Sequence, residues 1–445
     1  MLKISISGVR GIANESLTPE ICLNFAKAFG TYLKGGKIVV GIDPRPSSEF
    51  IKGIVIEGLV SCGLKVIDLG MVPTPTVGIM VRELNASGGL MITASHNPPE
   101  WNGLKFFRED GMFFNQSQLE KLLLIYKTQN FKERDGGSLR NYAKACEVHI
   151  KKILKAINPL RLRRKKFKVV YDACNGAGSY ASAQLLKKLG CRVIAINADP
   201  RKPFPRGAEP TPSNITALCE AVKKEGADLG FAQDPDADRL ALVNERGEAI
   251  SEEYTLVLCA DYILSQNQPG PKIIVANLST TRALDDLSKR WGTILIRTKI
   301  GEIHVAEEMK KVKAVIGGEG NGGVIYPRVS FLRDSLTGMA LILSALTQGG
   351  QKLSGLMSDI PQYFMYKTKI SCASPAAAED LIDKTREFYK KETQDLTDGV
   401  KIYLPEATLH VRASNTEPIL RIITEAKSYE AAKRLAEDLV FRLQP

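Results

Sequence analysis

The chain repeats one pattern of elements three times, at positions far apart in the sequence. Each copy has an apolar strand, a polar loop, an amphipathic helix that ends at glycine, and a second apolar strand. The copies begin at residues 37, 167 and 272, and their glycines are Gly63, Gly190 and Gly292. This is the strand, helix, strand unit of a parallel or mixed α/β sheet. Because the copies lie more than 100 residues apart, they predict three successive α/β domains rather than a solenoid.

The last part of the chain has a different pattern. From about residue 366 it consists of short strands such as "TLHVRA" and "ILRIITEA", with helical stretches near 376–392 and 429–443. The predicted fold class is therefore α/β, with three similar α/β domains that have mixed sheets, followed by a smaller α+β C-terminal domain. The predicted domains span residues 1–150, 151–251, 252–365 and 366–445.

Composition excludes several classes of protein. With 445 residues, 44% of them hydrophobic and 25% charged, the chain can form several cores and is typical of a soluble globular protein. No apolar run reaches the roughly 18 residues that a membrane span requires. The first residues lack the apolar core of a signal peptide, so we expect a cytoplasmic protein. The eight cysteines are scattered without CxxC pairing and are predicted to be free thiols.

The net charge is +12, which suits an anionic partner, either nucleic acid or a phosphorylated small molecule. The dense basic run is "RLRRKKFK" at residues 161–168. It leads directly into a predicted strand and has no accompanying aromatic stripe, so a solvated helix end is the better interpretation. We expect a small-molecule partner, no nucleic acid, no membrane, and a monomer or homodimer.

Three aspartates, Asp234, Asp236 and Asp238, alternate on a turn between two apolar strands, in "QDPDADR". Their carboxylates can converge on one hard cation. A calcium-binding helix-loop-helix is excluded, because Arg239 stands where that loop needs glycine and strands flank the turn. A solvated acidic turn is the alternative. Mg²⁺ is preferred, since it is typically held by a few carboxylates and a phosphate oxygen.

A glycine-rich stretch, "VIGGEGNGGVIYP" at residues 315–327, places Glu319 and Asn321 among five glycines. Glycine permits close approach to a ligand, and the two polar side chains can bind sugar hydroxyls. No helix follows the glycines, as a dinucleotide site would require. Taken alone, the stretch is equally consistent with a plain hairpin.

A third stretch, "HVRASNTEPILRI", begins at residue 410 and brings two guanidiniums and several small donors around one turn. These residues are Arg412, Ser414, Asn415, Thr416 and Arg421. The combination suits a phosphate dianion. The alternative is a capped turn between two strands, because serine and asparagine favour such turns.

Ser95 lies in the loop "TASHNPPEWNG" and is followed by His96. Adjacent side chains on an extended loop point in opposite directions, so we expect neither a Ser-His pair nor a catalytic base at His96. No GxSxG elbow is present. Ser95 is useful if it becomes a phosphoryl carrier whose phosphate is held by a metal and cations.

Together, these four stretches resemble the α-D-phosphohexomutase superfamily, which includes phosphoglucomutases, phosphomannomutases and phosphoglucosamine mutases. The motifs "TASHNP", "DPDADR", "GEGNGG" and "RASNTEP" stand in the family's order, one per predicted domain. The resemblance spans essentially the whole chain. It implies a heart-shaped molecule with a central cleft, an isomerase-class intramolecular phosphotransferase, one Mg²⁺ per chain, and hexose 1,6-bisphosphate as intermediate or activator.

The resemblance also implies a role for each motif. Ser95 would carry the phosphoryl group. Arg10 of "SGVRG" and Lys105 of "NGLKFF" resemble positions near the reacting hydroxyl, and Lys105 is the first candidate for general acid/base. The implied metal ligands are the Ser95 phosphate, Asp234, Asp236 and Asp238. The implied substrate contacts are Glu319, Asn321, Arg239, Lys299, Arg412, Ser414, Asn415, Thr416 and Arg421.

Departures from the family pattern limit the prediction of the substrate. Many members have serine and a final histidine in the sugar loop, where this chain has Asn321 and Gly323. The loops look most like a bacterial branch assigned to phosphoglucosamine mutase or to phosphomannomutase and phosphoglucomutase. We expect transfer between O6 and O1 of glucosamine phosphate, with mannose or glucose phosphate as the alternative. A sugar phosphatase and a non-catalytic sugar-phosphate binder are more distant alternatives.

Overall fold

The computed structural model describes residues 2–266, 270, 272–414 and 419–443. Within these residues the chain forms four sheets in succession, one for each predicted domain. Two predicted phosphate contacts, Asn415 and Thr416, lie outside the described residues. In the described part of the chain, no helix combines the length and the apolar character needed to cross a lipid bilayer.

Domain I is built on a mixed sheet. Its strands are β1 (Lys3–Ser5), β2 (Gly8–Ile12), β3 (Lys37–Ile42), β4 (Lys65–Met71), β5 (Gly88–Ile92), β6 (Trp101–Arg108) and β7 (Ser138–Asn141). Its helices are α1 (Pro19–Leu33), α2 (Ser48–Ser61), α3 (Thr74–Glu83), α4 (Gln116–Thr128) and α5 (Ala145–Ala156). The strand order is β1-β2-β6-β5-β3-β4-β7. The first predicted unit is β3-α2-β4, and its two strands are parallel, as expected.

Domain II repeats the parallel unit as β8-α7-β9. Its strands are β8 (Lys168–Asp172), β9 (Arg192–Ile196), β10 (Leu229–Gln233), β11 (Leu240–Val243) and β12 (Ala249–Ile250). Its helices are α6 (Pro159–Lys165), α7 (Gly178–Lys188), a 3₁₀ turn (Pro212–Asn214) and α8 (Thr216–Glu225). The strand order is β12-β11-β10-β8-β9. The basic run forms α6, which ends in Arg163, Arg164 and Lys165, so it is the helix end predicted for it.

Domain III contains the third parallel unit, β13-α10-β14. Its strands are β13 (Ile273–Asn277), β14 (Ile294–Thr298), β15 (Ile316–Glu319) and β16 (Gly323–Ile325). Its helices are α9 (Glu253–Ser265), α10 (Ala283–Trp291), α11 (Glu302–Val312), α12 (Ser335–Gly349) and α13 (Leu353–Ser358). The strand order is β14-β13-β15-β16, and the last pair is antiparallel.

Domain IV is smaller and its strand pairs are antiparallel. Its strands are β17 (Phe364–Ser371), β18 (Thr393–Asp395), β19 (Val400–Tyr403), β20 (Ala407–Ala413) and β21 (Ile419–Ala426). Its helices are α14 (Pro375–Phe388) and α15 (Tyr429–Leu443). The strand order is β17-β21-β20-β19-β18. The structure therefore has the predicted fold class of three α/β domains followed by a smaller α+β domain.

Two predicted boundaries fall inside regular elements. Residue 150 lies within α5, and residue 366 lies within β17, which pairs with β21 along its full length. The helical and strand patterns continue through both points. Composition changes near a domain boundary are therefore a weak guide to where an element ends.

Domains I to III share apolar packing, whereas domain IV has its own cluster. Val39 of β3 packs in one cluster with Val275 of β13, which joins domains I and III. Domain IV buries a separate set of side chains and meets domain III through polar contacts. In one of them, buried Glu425 accepts hydrogen bonds from Thr281 Oγ1 and the Arg282 backbone. All eight cysteines are free thiols, as predicted.

Candidate active site

A cleft of about 600 Å³ lies where the four domains meet. It contains eight of the residues that the sequence singles out, although they are far apart in the chain. They are Arg10, Ser95, Lys105, Arg239, Glu319, Asn321, Arg412 and Arg421. Each domain contributes at least one of them, either from a strand or from a loop that joins two strands.

The loop that carries Ser95 is held from behind by one buried arginine. Arg45 donates to the backbone oxygens of Ser95 and Asn97 at 2.6 and 2.7 Å, and also to those of Pro98 and Trp101. Its Nε pairs with Asp43 Oδ2 at 3.0 Å, and both side chains are fully buried. Carbonyls that face inward on a tight loop need such donors, because a buried unpaired carbonyl is costly. Arg45 therefore fixes the shape of the loop.

Ser95 itself has a strained backbone. Its φ is +54°, in the left-handed region that serine rarely adopts. Its N–H donates to Thr93 Oγ1 at 2.8 Å, and Thr93 Oγ1 donates to Asp43 Oδ2 at 2.6 Å. Strain of this kind persists where surrounding contacts enforce it and is concentrated at functional sites.

For a reaction in which Ser95 carries the phosphoryl group, Arg45→Lys should lower kcat by about 10- to 100-fold and leave KM almost unchanged. A lysine ammonium has three donors and cannot satisfy the four carbonyls and Asp43 together, so buried carbonyls lose partners at about 1–3 kcal/mol each. Steady-state kinetics and thermal melting measure the two effects. Arg140→Lys, on exposed strand β7, is the control, and a kcat within twofold of the parent would contradict this role for Arg45.

His96 is closer to Ser95 than the sequence predicts. Because the loop is not extended at Ser95, Ser95 Oγ lies 3.4 Å from His96 Nδ1, and the prediction that the two side chains diverge is wrong. The same nitrogen accepts from Arg239 Nη2 at 2.9 Å. The charge of Arg239, together with burial, lowers the pKa of His96 to about 2. His96 is therefore neutral and a poor proton acceptor, in agreement with the expectation that it is not the catalytic base.

The aspartate turn connects β10 to β11, and its residue Ala237 also has a positive φ of +56°. Asp234 turns one oxygen, Oδ1, toward the backbone N–H groups of Asp238 and Arg239, both at 3.1 Å. Asp238 turns Oδ2 toward Arg333 Nη2 at 2.6 Å. One oxygen of Asp234 and one oxygen of Asp238 are thus occupied by hydrogen bonds from the protein.

Asp236 is held in the same manner by domain I. Its Oδ2 accepts from Thr74 Oγ1 at 2.6 Å and from Lys105 Nζ at 2.7 Å. Lys105 Nζ also lies 3.6 Å from Asp238 Oδ2. Domain I therefore reaches the aspartate turn directly, through a hydroxyl and an ammonium.

The remaining oxygens of the three aspartates fit a metal ion. Asp234 Oδ2, Asp236 Oδ1 and Asp238 Oδ1 are buried and have no hydrogen-bond partner, and the three carboxylates offer oxygens within 4.8 Å of one another. Burial, together with the charges of Asp238 and Asp236, raises the pKa of Asp234. Burial opposes ionisation of Asp236 as well, but the charge and hydrogen bond of Lys105 lower its pKa. A divalent cation would satisfy all three free oxygens at once.

Arg10 adds a second cation from domain I. Its Nη1 donates to Asn97 Oδ1 at 3.1 Å, beside the Ser95 loop. Burial lowers its pKa to about 10, so the side chain stays cationic at neutral pH. Arg10 and Lys105 together give the space next to Ser95 a positive lining, which suits a phosphoryl group.

The glycine-rich stretch is an antiparallel hairpin of β15 and β16, and it lines the cleft. Glu319 Oε1 accepts from Asn277 Nδ2 at 2.8 Å and from the Gly301 N–H at 3.1 Å. Its Oε2 accepts from Arg333 Nη1 at 2.6 Å. Asn321 Oδ1, in contrast, is buried without a partner. In this hairpin, Asn321 therefore has an acceptor free for a ligand, while Glu319 is held by the protein.

Two arginines in domain IV stand directly opposite each other. Arg412 of β20 and Arg421 of β21 are partners in the strand register, and both face the cleft. Like charges placed opposite each other across strands repel, and a phosphate between them would remove the repulsion. Ser414, the predicted third contact, follows at the end of β20.

Of two further predicted substrate contacts, Arg239 lines the cleft and Lys299 does not. Arg239 reaches the cleft, where Nη1 pairs with Glu209 Oε1 at 2.5 Å. Lys299 instead lines a neighbouring groove of about 520 Å³ with His304. The chain enters the cleft only at the next residue, Ile300, so the predicted contact of Lys299 with the substrate phosphate has no support in this structure.

Sequence reasoning missed several charged residues of the cleft, including Glu253, Glu302, Arg333 and Lys367. Glu302 and Arg333 lie within 3.1 Å of each other, and burial raises the pKa of Glu302 to about 7. One local signal was available for Arg333. Asp334 is an N-cap directly before the apolar helix α12, and this places Arg333 at the sheet edge that carries the loops.

Comparison with known proteins covers the same four parts of the chain. Residues 2–133, 147–247 and 251–364 match the descriptions "Phosphoglucomutase/phosphomannomutase, alpha/beta/alpha domain" I, II and III, and residues 368–440 match the "C-terminal domain" of the same family. The phosphoglucomutase/phosphomannomutase of Thermococcus kodakarensis is 40% identical over 441 residues, which are 97% of this chain and 96% of that protein.

Two further proteins show the same likeness. The "Probable phosphoglucosamine mutase" of Pyrococcus horikoshii is 38% identical over 443 residues, with 98% of this chain and 96% of that protein covered. A crystal structure of a phosphoglucomutase/phosphomannomutase family protein from Burkholderia thailandensis has a TM-score of 0.85 at 26% identity, covering 99% of this chain and 97% of that one. The chain therefore belongs to the phosphoglucomutase/phosphomannomutase family, within the α-D-phosphohexomutase superfamily of isomerase-class phosphotransferases.

Proposed function

We propose that the protein is a Mg²⁺-dependent mutase that moves phosphate between O6 and O1 of a hexose phosphate. Phosphorylated Ser95 is the carrier and a hexose 1,6-bisphosphate is the intermediate. One observation carries the proposal: Lys105 and Arg333, which line the same cleft as Ser95, bond to an aspartate turn that holds three buried carboxylate oxygens without hydrogen-bond partners. Asp234, Asp236 and Asp238 would hold the Mg²⁺, which supplies positive charge at the transferring phosphoryl group when bound.

Each half-reaction exchanges one P–O bond for another. The bond between phosphorus and Ser95 Oγ breaks while a free hydroxyl of the hexose phosphate forms the new bond to phosphorus. As an ammonium, Lys105 gives a proton to the departing Ser95 Oγ and takes the proton that the attacking hydroxyl loses. Arg10 balances the charge that develops on the phosphoryl oxygens. The second half-reaction runs the same steps in reverse, with the other phosphate of the bisphosphate.

The other side of the cleft holds the phosphate that does not react. Arg412 and Arg421 are partners in the strand register there, and the family resemblance assigns Ser414, Asn415 and Thr416 to the same phosphate clamp. Asn321 Oδ1 accepts from a sugar hydroxyl or from the 2-ammonium group of glucosamine. Because one clamp and one transfer site serve both half-reactions, the bisphosphate has to turn over between them.

Glucosamine 6-phosphate should have the highest kcat/KM among glucosamine, mannose and glucose 6-phosphates. A free acceptor such as Asn321 Oδ1 gains more from a charged donor than from a hydroxyl. Coupled assays with the three substrates, supplied with trace bisphosphate, measure the order. Asn321→Ala removes this acceptor, so the kcat/KM values of the three sugar phosphates should differ less in this variant than in the parent protein.

A mannose or glucose phosphate is the second candidate substrate, since a relative of 40% identity is named phosphoglucomutase/phosphomannomutase. A tenfold or greater advantage for either sugar would establish that reaction and reject glucosamine phosphate. Inorganic phosphate is measured in the same assays. Release as fast as isomerisation would indicate a phosphatase, in which water replaces the sugar hydroxyl.

A further inference from the structure

Arg333 joins the aspartate turn to the glycine-rich hairpin. Its Nη2 donates to Asp238 Oδ2 and its Nη1 to Glu319 Oε2, both at 2.6 Å. Its Nε lies 3.1 Å from Glu302 Oε2, and its backbone N–H donates to Glu302 Oε1 at 2.7 Å. The arginine is 8% exposed and faces the cleft. One guanidinium thus contacts a proposed metal ligand and Glu319, which the sequence predicts as a sugar contact.

The arginine fills space that Gly323 leaves open. A Cβ added to Gly323 would lie 2.2 Å from Arg333 Cδ and 2.9 Å from Cγ. The φ of Gly323 is not in the left-handed region, so backbone geometry does not require glycine at this position. Gly323 stands where many superfamily members have histidine in the sugar loop. In this chain, the space above Gly323 is taken by the side chain of Arg333.

The contact with Asp238 determines which oxygen faces the metal site. Each aspartate of the turn has one oxygen that accepts hydrogen bonds from the protein and one that accepts none. Arg333 is the hydrogen-bond donor to Oδ2 of Asp238, whose Oδ1 accepts none and lies 3.9 Å from Arg239 Nε. Groups that bind a metal ligand from behind orient it and typically change metal affinity or activity by about 10- to 100-fold when they are removed. An ion pair that only joined two domains would not need to contact both the aspartate turn and the glycine-rich hairpin.

We infer that Arg333 is a positioning residue that orients Asp238 for the metal and Glu319 for the sugar, and that Gly323 is required to admit it. The inference rests on the proposed function for the identity of the two sites. Arginine is needed here because its planar fork reaches two carboxylates, whereas a lysine ammonium can replace the charge but not both contacts.

Binding measurements on the Ser95→Ala protein, which cannot turn over, test the inference without activity. Arg333→Ala and Arg333→Lys should each raise the Kd for Mg²⁺ at least about tenfold in calorimetric titration, and should weaken binding of hexose 6-phosphate. In the protein with Ser95, kcat should fall for both variants, and lysine should restore melting temperature more than kcat. Arg108→Met is the control, because Arg108 also forms an ion pair between two domains, here I and III through Glu307, but lies outside the cleft.

The role of Gly323 is tested by a double-mutant cycle on the Kd for Mg²⁺. Gly323→Ala should weaken Mg²⁺ binding when Arg333 is present, because the new Cβ displaces its stem. It should have little effect in the Arg333→Ala protein, where that stem is gone. If Arg333→Ala does not fold, the Arg333→Lys and Gly323→Ala variants still report on Mg²⁺ binding.

Two results would overturn the inference. One is an unchanged Kd for Mg²⁺ in the Arg333 variants, and the other is an equal effect of Gly323→Ala with and without the arginine. Failure of the proposed function is a different result, namely no isomerisation of any hexose phosphate by the unmodified protein. The Mg²⁺ titrations decide the role of Arg333 in either case.

Discussion

Ser95→Ala will lose at least about 10⁴-fold in kcat for hexose phosphate isomerisation, because alanine has no oxygen to carry the phosphoryl group. Residual turnover by direct transfer between two sugar hydroxyls is not expected. Such a transfer would need both hydroxyls of one hexose to reach the same phosphorus. The remaining parts of the cleft, which bind substrate and neutralise charge, should be intact, so the variant should still bind hexose phosphate.

The stability of Ser95→Ala should change little. Among the residues that the structure describes, Ser95 Oγ has one long hydrogen-bond contact, at 3.4 Å to His96, while the loop is held by the Ser95 backbone and Arg45. Intact mass gives an independent readout: the parent protein should carry about 80 Da on Ser95, and the variant should not. Ser344→Ala is the control for loss of a buried hydroxyl, since Ser344 Oγ donates to the Ala340 carbonyl within α12 and Ser344 does not line the cleft. Activity above about 1% of the parent would contradict the carrier role.

The sequence predicted the fold because each α/β unit is encoded within about 30 residues. Apolar runs, a glycine after each helix and polar loops suffice for a local unit, and all three proved to be parallel strand pairs. Each of the four motifs is likewise a short continuous stretch, so the sequence alone was enough to find the parts of them that the structure describes. The short strand β18 was missed, since three residues carry too little pattern.

What the sequence could not give was the contacts between domains. Arg45 is 50 residues from Ser95 and Arg333 is 95 residues from Asp238, and no local pattern tells which carboxylates or carbonyls either arginine will contact. The error at His96 has a different origin. An extended loop was assumed, whereas the fold enforces a left-handed backbone at Ser95, and strain of this kind is imposed by distant contacts.

Asp234→Asn should lose at least about 10³-fold in activity, yet melt at a higher temperature than the parent protein in metal-free buffer. The asparagine Oδ1 can still accept from the Asp238 and Arg239 backbone, as Asp234 does. The substitution removes the charge of one of three carboxylates whose oxygens lie within 4.8 Å of one another. Their mutual repulsion opposes folding, and the proposed Mg²⁺ would offset it.

Saturating Mg²⁺ should reverse the order of the two melting temperatures, so that the parent protein melts above Asp234→Asn. A ligand present at about 100 times its Kd stabilises the folded state by about 2.7 kcal/mol, and the parent protein should gain that increment while Asp234→Asn gains little. Melting curves in chelator and in Mg²⁺ measure the inversion. The control is Asp172→Asn, because Asp172 is buried against Arg206, and removing its charge leaves that arginine uncompensated, which should destabilise the protein in both buffers. An Asp234→Asn protein that gains as much as the parent from Mg²⁺ would show that the aspartate turn is not the metal site.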